Sequence, residues 1–240
     1  MKKLFVSVLA LLAVTAVFAV PGSYKPSTGG LFLPTAEIAK STTLSTQILI
    51  DEDNMDSYCA FDNLQVVLPV GQFVELEALN NLEVSARYDF VGDEYNELLI
   101  GAKYVLPIEL ENLSVAVGGQ YATTWIWDAW AYGLSSDAYL AATYSFGETL
   151  PLSVTAGAVY DFDLERIQYG ASAEYDFGMA QAGLEYFEFN PFSGLDDRAI
   201  SVYATADLYK GFGATVAYEF HSGNYFDDYN IFTAGLKYTF

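Results

Sequence analysis

The chain has 240 residues, and 31 Asp and Glu residues against ten Lys and Arg residues give it a formal net charge of -21. A charge of this sign excludes electrostatic binding to nucleic acid or to another polyanion. Although 52% of the residues are hydrophobic, no stretch after residue 19 approaches the roughly 20 apolar residues of a membrane-spanning helix. The single cysteine, Cys59, excludes an intramolecular disulfide framework, and we interpret it as incidental.

The first 19 residues have the features of a signal peptide. Lys2 and Lys3 precede an apolar run over 4–16, and small residues occupy the two positions of 17–19 that a signal peptidase reads. A membrane anchor is the alternative, but the run is too short to span ~30 Å of hydrocarbon. We therefore predict a cleaved signal over 1–19. Its removal leaves eight bases against 31 acids, a formal charge of -23.

Twelve segments with strand-like alternation follow a lead over 20–41. An even number of antiparallel strands brings both ends of the chain to the same side of a sheet or barrel. The connection at 208–211 is tight, whereas the one at 51–56 is longer and acidic. The connection at 70–80 is longer than this alternation predicts. The predicted strands cover 42–50, 57–70, 81–90, 96–106, 112–124, 136–146, 151–161, 166–177, 178–189, 197–208, 211–221 and 229–240.

Within the strands, one face is apolar and the other is polar or small. In the strand over 166–177, Ile167, Tyr169 and Ala171 alternate with Gln168 and Gly170. The aromatic residues collect at strand ends, which predicts two belts of the kind found at membrane interfaces. A soluble sandwich or a lipocalin-like barrel is the alternative. The belt residues are Tyr88, Phe90, Tyr121, Tyr160, Phe162, Tyr218 and Phe220 at one set of ends and Tyr104, Tyr144, Phe146, Tyr175, Phe177, Tyr238 and Phe240 at the other.

The last strand alternates Phe232, Leu236 and Tyr238 with smaller or polar residues and stops on the aromatic Phe240. This pattern resembles the closing strand of Gram-negative-type outer-membrane β-barrels, in which the barrel assembly machinery recognises the C-terminal aromatic residue. The resemblance implies an all-β, antiparallel, up-and-down transmembrane barrel of about 12 strands over 42–240. It also implies a location in the bacterial outer membrane, contact with outer-membrane lipids and an assembly signal in these four residues.

The lead contains Leu33-Pro34-Thr35-Ala36 just before the first strand. This stretch resembles one found before the first strand of some envelope barrels, including exopolysaccharide-associated ones. Two interpretations remain open. We favour a periplasmic tail tucked under or into the mouth of the barrel over a binding motif.

The inward face is predicted to be acidic, with eight carboxylates against three basic groups. If Phe90 lies opposite Asn96, then Glu83 lies opposite Lys103 and forms a cross-strand ion pair. An acidic wall favours cations where water fills the barrel, whereas a satisfied polar core is the alternative. The predicted lumen charges are Glu83, Asp89, Asp161, Glu174, Asp176, Glu185, Asp207 and Glu219, with Arg87, Lys103 and Lys237.

All three tryptophans, Trp125, Trp127 and Trp130, lie between the fifth and sixth predicted strands. A platform for a sugar ring or a lid over the mouth is one interpretation. We favour anchoring at the outer interface, on a hairpin that turns near Asp128 and Ala129, because the rings continue the outward phase of both strands.

An enzyme is poorly supported by the sequence. The only histidine, His221, stands next to Ser222 in the predicted loop after the eleventh strand, and neighbouring strand residues point to opposite faces. The acidic loop residues form no calcium-binding loop of recognised spacing. We predict no catalytic site, no metal and no cofactor.

The sequence therefore predicts a narrow, cation-preferring diffusion channel for small solutes, because twelve strands lie between filled eight-strand barrels and open porins. A non-conducting structural or surface-interaction barrel is the alternative, and an outer-membrane phospholipase-like enzyme is a distant third. The packing of the lumen separates the first two. A water path favours conduction, whereas a plug formed by 21–40 or interlocked ion pairs favours the structural role.

Overall fold

The computed structural model describes residues 33–51, 60–91, 95–108, 110–126, 129–147, 149–189, 198–223 and 229–240. The predicted signal peptide, the first part of the lead and Cys59 lie outside these ranges. Among the described residues, no helix is long and apolar enough to cross a membrane.

Twelve antiparallel strands form a closed barrel in which each strand pairs with its neighbours in the chain. The first strand also pairs with the last, from Thr43 opposite Thr239 to Asp51 opposite Ile231, and this pairing closes the barrel. The predicted fold class and strand number are confirmed. The strands are β1 Thr43–Asp51, β2 Ala60–Pro69, β3 Leu82–Val91, β4 Tyr95–Val105, β5 Leu113–Ile126, β6 Ala129–Ser145, β7 Leu152–Asp161, β8 Arg166–Asp176, β9 Ala180–Glu188, β10 Arg198–Tyr209, β11 Phe212–Ser222 and β12 Tyr229–Thr239.

The alternation of side chains separates an inner face from an outer face. On β10, Ser201 and Thr205 are buried inside the barrel, whereas Ile200, Val202 and Ala204 between and beside them are exposed on the outside. Burial of polar residues together with exposure of apolar ones is the reverse of a water-soluble barrel. It fits a barrel surrounded by lipid.

The barrel has two ends, and we call the one that carries Thr43 and Thr239 the terminal end and the other the loop end. At the terminal end, β10 and β11 are joined through Lys210 and Gly211, with φ angles of 45° and 84°. Positive φ at both central residues matches the twist of a two-residue hairpin turn, and glycine adopts it without strain. The long connection predicted at 70–80 contains two short 3-10 turns, Val70–Gln72 and Glu77–Leu79.

The hairpin of β5 and β6 is longer than the sequence pattern predicts. The sixth strand was expected to begin at residue 136, but β6 begins at Ala129 and pairs with β5 up to Ile126. The predicted turn near Asp128 falls in part outside the described residues. The tryptophan-containing segment is a continuation of both strands and not a separate loop.

Aromatic rings on the outer face form edge-to-face or tilted pairs at both ends of the barrel. At the loop end, the ring centroids of Tyr160 and Phe162 are 5.0 Å apart and those of Tyr218 and Phe220 are 5.3 Å apart. The two predicted belts are present in the described residues. The pairs at the terminal end are Tyr144 with Phe146, Tyr175 with Phe177, and Tyr238 with both Phe212 and Phe240.

Candidate functional site: the barrel lumen

A row of hydroxyl and carboxylate side chains crosses the inner wall from β6 to β11. The register places each member directly opposite the next on the adjacent strand, so the row is continuous. Its members are polar, and on most of these strands they are short. They are Thr143, Thr155, Ser172, Glu185, Ser201 and Glu219.

The described end of the lead, 33–41, lies inside the barrel. Its backbone N–H groups donate hydrogen bonds to the wall at three points: Leu33 to Glu185 Oε1 at 2.6 Å, Ala36 to Thr143 Oγ1 at 2.8 Å, and Ala39 to Glu83 Oε2 at 2.9 Å. These bonds satisfy buried backbone donors that have no strand partner. We name this segment, 33–41, the inner tail.

The inner tail is also fixed by an apolar contact. The Leu33 side chain is fully buried within a cluster of inward-facing side chains of β6, β7 and β9–β11, and it passes directly over Gly157. A Cβ atom on Gly157 would lie 2.9 Å from a Leu33 methyl carbon. The cluster comprises Leu33, Tyr139, Val159, Phe187, Ala199, Tyr203 and Ala217. Leu-Pro-Thr-Ala is thus a buried packing element inside the barrel.

Glycines on the wall give the large inward rings their space. The Tyr203 ring lies across Gly183 of the neighbouring strand, and a Cβ at that glycine would clash with the ring. The Tyr203 hydroxyl then reaches Glu174 on the next strand and donates a hydrogen bond to its carboxylate. Tyr139 lies over Gly118 in the same way. Both rings therefore lie flat along the wall and do not stand across the lumen.

Two ion pairs occupy the terminal half of the lumen. The predicted register of Phe90 opposite Asn96 is correct, and Glu83 and Lys103 form a buried pair at 3.2 Å. Because Glu83 also accepts the Ala39 N–H, this pair holds the inner tail. Lys237 pairs with Asp207 at 2.9 Å. Asp176, at the end of β8, is exposed and accepts a hydrogen bond from the Gly178 N–H at 2.7 Å.

The other predicted lumen charges lie toward the loop end. Arg87 and Asp89 form a buried pair at 2.5 Å. Asp161 lies 3.9 Å from Arg166 and accepts the Asp163 N–H in the β7–β8 turn. Glu185, in the middle of the wall, binds the inner tail, and Glu219 contacts His221.

The predicted position of His221 in the loop after the eleventh strand is wrong. His221 is inside β11 and buried, with Nε2 3.1 Å from Glu219 Oε2 and its ring stacked 6.2 Å from that of Phe189. Ser222 faces the outside, where its Oγ accepts a hydrogen bond from Arg198 Nε. The two neighbours point to opposite faces, as predicted.

Three charged residues on the inner face were not among the predicted lumen charges. Glu97 lies opposite Asp89, Asp137 accepts a hydrogen bond from Gln120 Nε2 at 2.8 Å, and Arg166 faces Asp161. All three lie close to predicted strand ends, where parity is hardest to assign, although simple extension of the alternation finds each of them. With them the described inner wall has ten acids and four bases, compared with the predicted eight and three.

A cavity of about 680 Å³ remains beside the inner tail in the terminal half of the barrel. It is bounded by residues 35–41, by β1 and β2, and by the wall from β8 to β12, and it reaches the turns at 178–180 and 208–212. The tail thus narrows the lumen without filling its terminal half.

The predicted anchoring and assembly residues lie on the barrel as follows. Trp125 and Trp130 belong to β5 and β6, whereas Trp127 lies outside the described residues. Phe232, Leu236 and Tyr238 lie on the outer face of β12. Phe240 follows β12, is exposed, and donates its backbone N–H to the Thr42 carbonyl at 3.1 Å.

Across the described ranges, no group of three or more His, Cys, Asp or Glu side chains is placed to hold a metal ion. Most of the acidic loop residues considered as weak calcium ligands, such as Glu52 and Asp227, lie outside those ranges.

Comparison with known proteins relates this chain to others only through its fold. No family model matches the sequence, and no curated protein matches it. Among solved structures, a KdgM porin in complex with disordered oligogalacturonate is similar with a TM-score of 0.59 and 13% identity, over 82% of this chain and 99% of that one. The NanC porin has a TM-score of 0.54 and 8% identity, over 83% and 100%. Outer membrane phospholipase A from Escherichia coli has a TM-score of 0.53 and 12% identity, over 83% and 90%.

The fold is therefore one that outer-membrane porins and an outer-membrane phospholipase share. Because fold does not define function, the lumen itself must distinguish a channel from an enzyme.

Proposed function

We propose that this protein is an outer-membrane channel, narrowed by its own inner tail, that passes small cations and small polar solutes. The observation that carries the proposal is the charge of the described inner wall, where ten carboxylates face four basic groups. In a narrow water-filled lumen, such an excess raises the local concentration of cations and excludes anions.

The outer surface supports a position in a membrane. Apolar side chains cover its middle, and aromatic pairs mark both of its ends. The terminal end, with its tight turn at 210–211, is then the periplasmic one, and the loop end faces outside. Export through the predicted signal over 1–19 and insertion by the barrel assembly machinery belong to the same proposal.

The negative charge of the inner wall argues against acidic sugars as the transported solutes. Oligogalacturonate, named in the KdgM complex, is a polyanion, and ten inward carboxylates oppose its entry. The fold likeness to KdgM therefore supports a channel but not the same solute.

A non-conducting structural barrel is the second candidate, and the inner tail favours it. Three backbone hydrogen bonds and the buried Leu33 hold this segment across the lumen. The cavity of about 680 Å³ beside the tail supports conduction instead, because it leaves the terminal half of the lumen open.

A phospholipase-like enzyme receives less support. His221 contacts Glu219, but its neighbour Ser222 is on the outer face, so the chain's one histidine and this serine do not share a proton.

The test is single-channel recording in planar bilayers under a salt gradient. We expect wild-type protein to conduct with a reversal potential on the cation side, and the preference to fade as the Debye length falls from about 10 Å at 0.1 M to about 3 Å at 1 M salt. The double variant Glu185→Gln and Glu219→Gln removes two charges but retains hydrogen-bond acceptors, so it should shift the reversal potential toward zero at low salt.

The matched control is Glu77→Gln, which removes an exposed carboxylate from a turn at the terminal end. Folded protein without any conductance would leave the structural barrel as the function. Conductance with unaltered selectivity in the double variant would show that ions do not pass these side chains.

A further inference from the structure

We propose that the cavity beside the inner tail is a binding site for a small organic cation with several amine groups, a diamine or polyamine. This inference rests on the proposed function, because the ligand reaches the site through the same lumen. The volume of about 680 Å³ lies in the range of small-molecule sites and exceeds the needs of a single ion.

The charge of the cavity wall favours a cation. Four carboxylates and three ammonium groups line the cavity. One of the ammonium groups is already paired with a carboxylate, and the other two lie on exposed residues. Lys237 is paired with Asp207 at 2.9 Å, and Lys210 lies over the Tyr209 ring at 5.0 Å on the exposed rim. Lys40 is likewise exposed.

Glu174 has no basic partner among the described residues. Its described partner is the hydroxyl of Tyr203, which is a neutral donor, and no base of the described residues lies within 4.0 Å of it. Asp176 follows it two positions along β8 on the same inner face and accepts only a backbone N–H. An ammonium group at this wall would therefore gain charge-assisted hydrogen bonds without displacing an existing ion pair.

A second and independent observation lies on the other wall of the cavity. Ser45 on β1 and Gln65 on β2 are opposite each other and almost fully buried, at 1% and 4% exposure. Both line the cavity, and the Ser45 Oγ and Gln65 Oε1 atoms have no hydrogen-bond partner among the described residues. Buried acceptors without a partner are costly, so a ligand that brings N–H donors stabilises them.

The two walls together select the class of ligand. The β1–β2 wall offers neutral oxygen acceptors, and the β8 wall offers carboxylates, so a ligand with N–H donors at both ends satisfies both walls. A bare metal ion fits less well, because no described group of three ligands converges on one point. A neutral diol of equal length lacks the positive charge that Glu174 and Asp176 attract.

Isothermal titration of the purified, folded barrel in detergent tests the site with putrescine as the probe. We expect putrescine to bind, and butanediol, its neutral analogue, to bind at least tenfold more weakly, about 1.4 kcal/mol. The substitution Glu174→Gln retains an acceptor for the Tyr203 hydroxyl but removes the charge, so it should weaken putrescine about tenfold or more. Gln65→Leu should also weaken putrescine binding, because it removes a hydrogen-bond acceptor from the β1–β2 wall. Glu77→Gln, outside the cavity, should leave it unchanged.

Heat-modifiable mobility in gels shows that each variant is folded before titration. Failure of wild-type protein to bind putrescine, equal binding of butanediol, or unchanged binding in folded Glu174→Gln would overturn the site. Mg²⁺ is titrated in place of putrescine as a further control. If Mg²⁺ binds and putrescine does not, and if Glu174→Gln weakens the Mg²⁺ binding, the cavity is a metal site and the proposal is overturned. Binding needs no ion flow, so loss of the site and loss of the channel are measured separately.

Discussion

Two regions of the same lumen differ in how tightly their side chains are packed. Around Leu33, the inner tail, apolar side chains and wall glycines pack together, and the tail's N–H groups bind the wall. In the cavity beside residues 35–41, charged groups keep solvent access, and the buried side-chain oxygens of Ser45 and Gln65 have no hydrogen-bond partner among the described residues. The packed region resembles a protein core, in which a foreign group is costly. The cavity resembles a binding site, in which extra atoms are tolerated.

The largest difference is expected from one substitution placed in each region. Ala217 belongs to the packed cluster, whereas Thr205 lines the cavity, and both face inward. Ala217→Arg places an unpaired charge in an apolar environment, so it should lower the free energy of unfolding by about 3–5 kcal/mol. Thr205→Arg should cost much less, because its guanidinium reaches the cavity. Urea titration in detergent or lipid compares them, and equal losses would mean that the cavity is as tightly packed as the cluster.

The outer face provides the next effect. Ala156 is exposed to the outside near the middle of β7, opposite Ala142 and Ala171, and Ala156→Arg should lower the free energy of unfolding by about 2–4 kcal/mol in a lipid bilayer. The penalty arises because the guanidinium meets hydrocarbon, so it should shrink when the same variant is unfolded from a solvated detergent micelle. A penalty that is independent of the surroundings would contradict the membrane-facing assignment.

A smaller effect is expected at the glycine under Tyr203. Gly183→Ala introduces a Cβ into the ring and should cost about 1–3 kcal/mol through overpacking. The cost should vanish in the Tyr203→Ala background, since the ring that clashes is then gone. A double-mutant cycle in urea measures this coupling, and strictly additive losses would show that the ring does not rest on the glycine.

Loss of the terminal residue is expected to reduce assembly more than stability. Removing Phe240 deletes one backbone hydrogen bond and one exposed ring, so purified, folded protein should unfold at nearly the same urea concentration. In cells, however, we expect less folded barrel in the outer membrane while export continues. Gel mobility with and without heating reports the folded fraction. Normal levels of the fast-migrating form would count against the assembly signal.

Much of the barrel could be predicted from the sequence because strand alternation is local. The twelve strands, the register of Glu83 with Lys103 and the outward aromatic belts all follow from period-two patterns. The ends of strands were harder: β6 begins seven residues before its predicted start, since Ala129 to Ser135 mix small and aromatic residues without a clear polar face.

The course of the inner tail could not be derived in the same way. Its position depends on contacts between Leu33 and strands more than a hundred residues away, which no local pattern encodes. The burial of His221 was missed for a similar reason, because its partner Phe189 comes from a neighbouring region of the wall and not from its own strand.

The single-channel conductance of Leu33→Asp, measured relative to wild type, tests most directly whether the inner tail narrows the channel. The introduced carboxylate is destabilised in the apolar cluster beside Glu185, so the inner tail should detach from the wall. The conductance should then rise, and the preference for cations should be retained. Leu76→Asp, which alters an exposed leucine in a terminal-end connection, serves as the control and should conduct as wild type does. Equal conductance of folded Leu33→Asp and wild-type barrels would contradict a channel narrowed by its own tail.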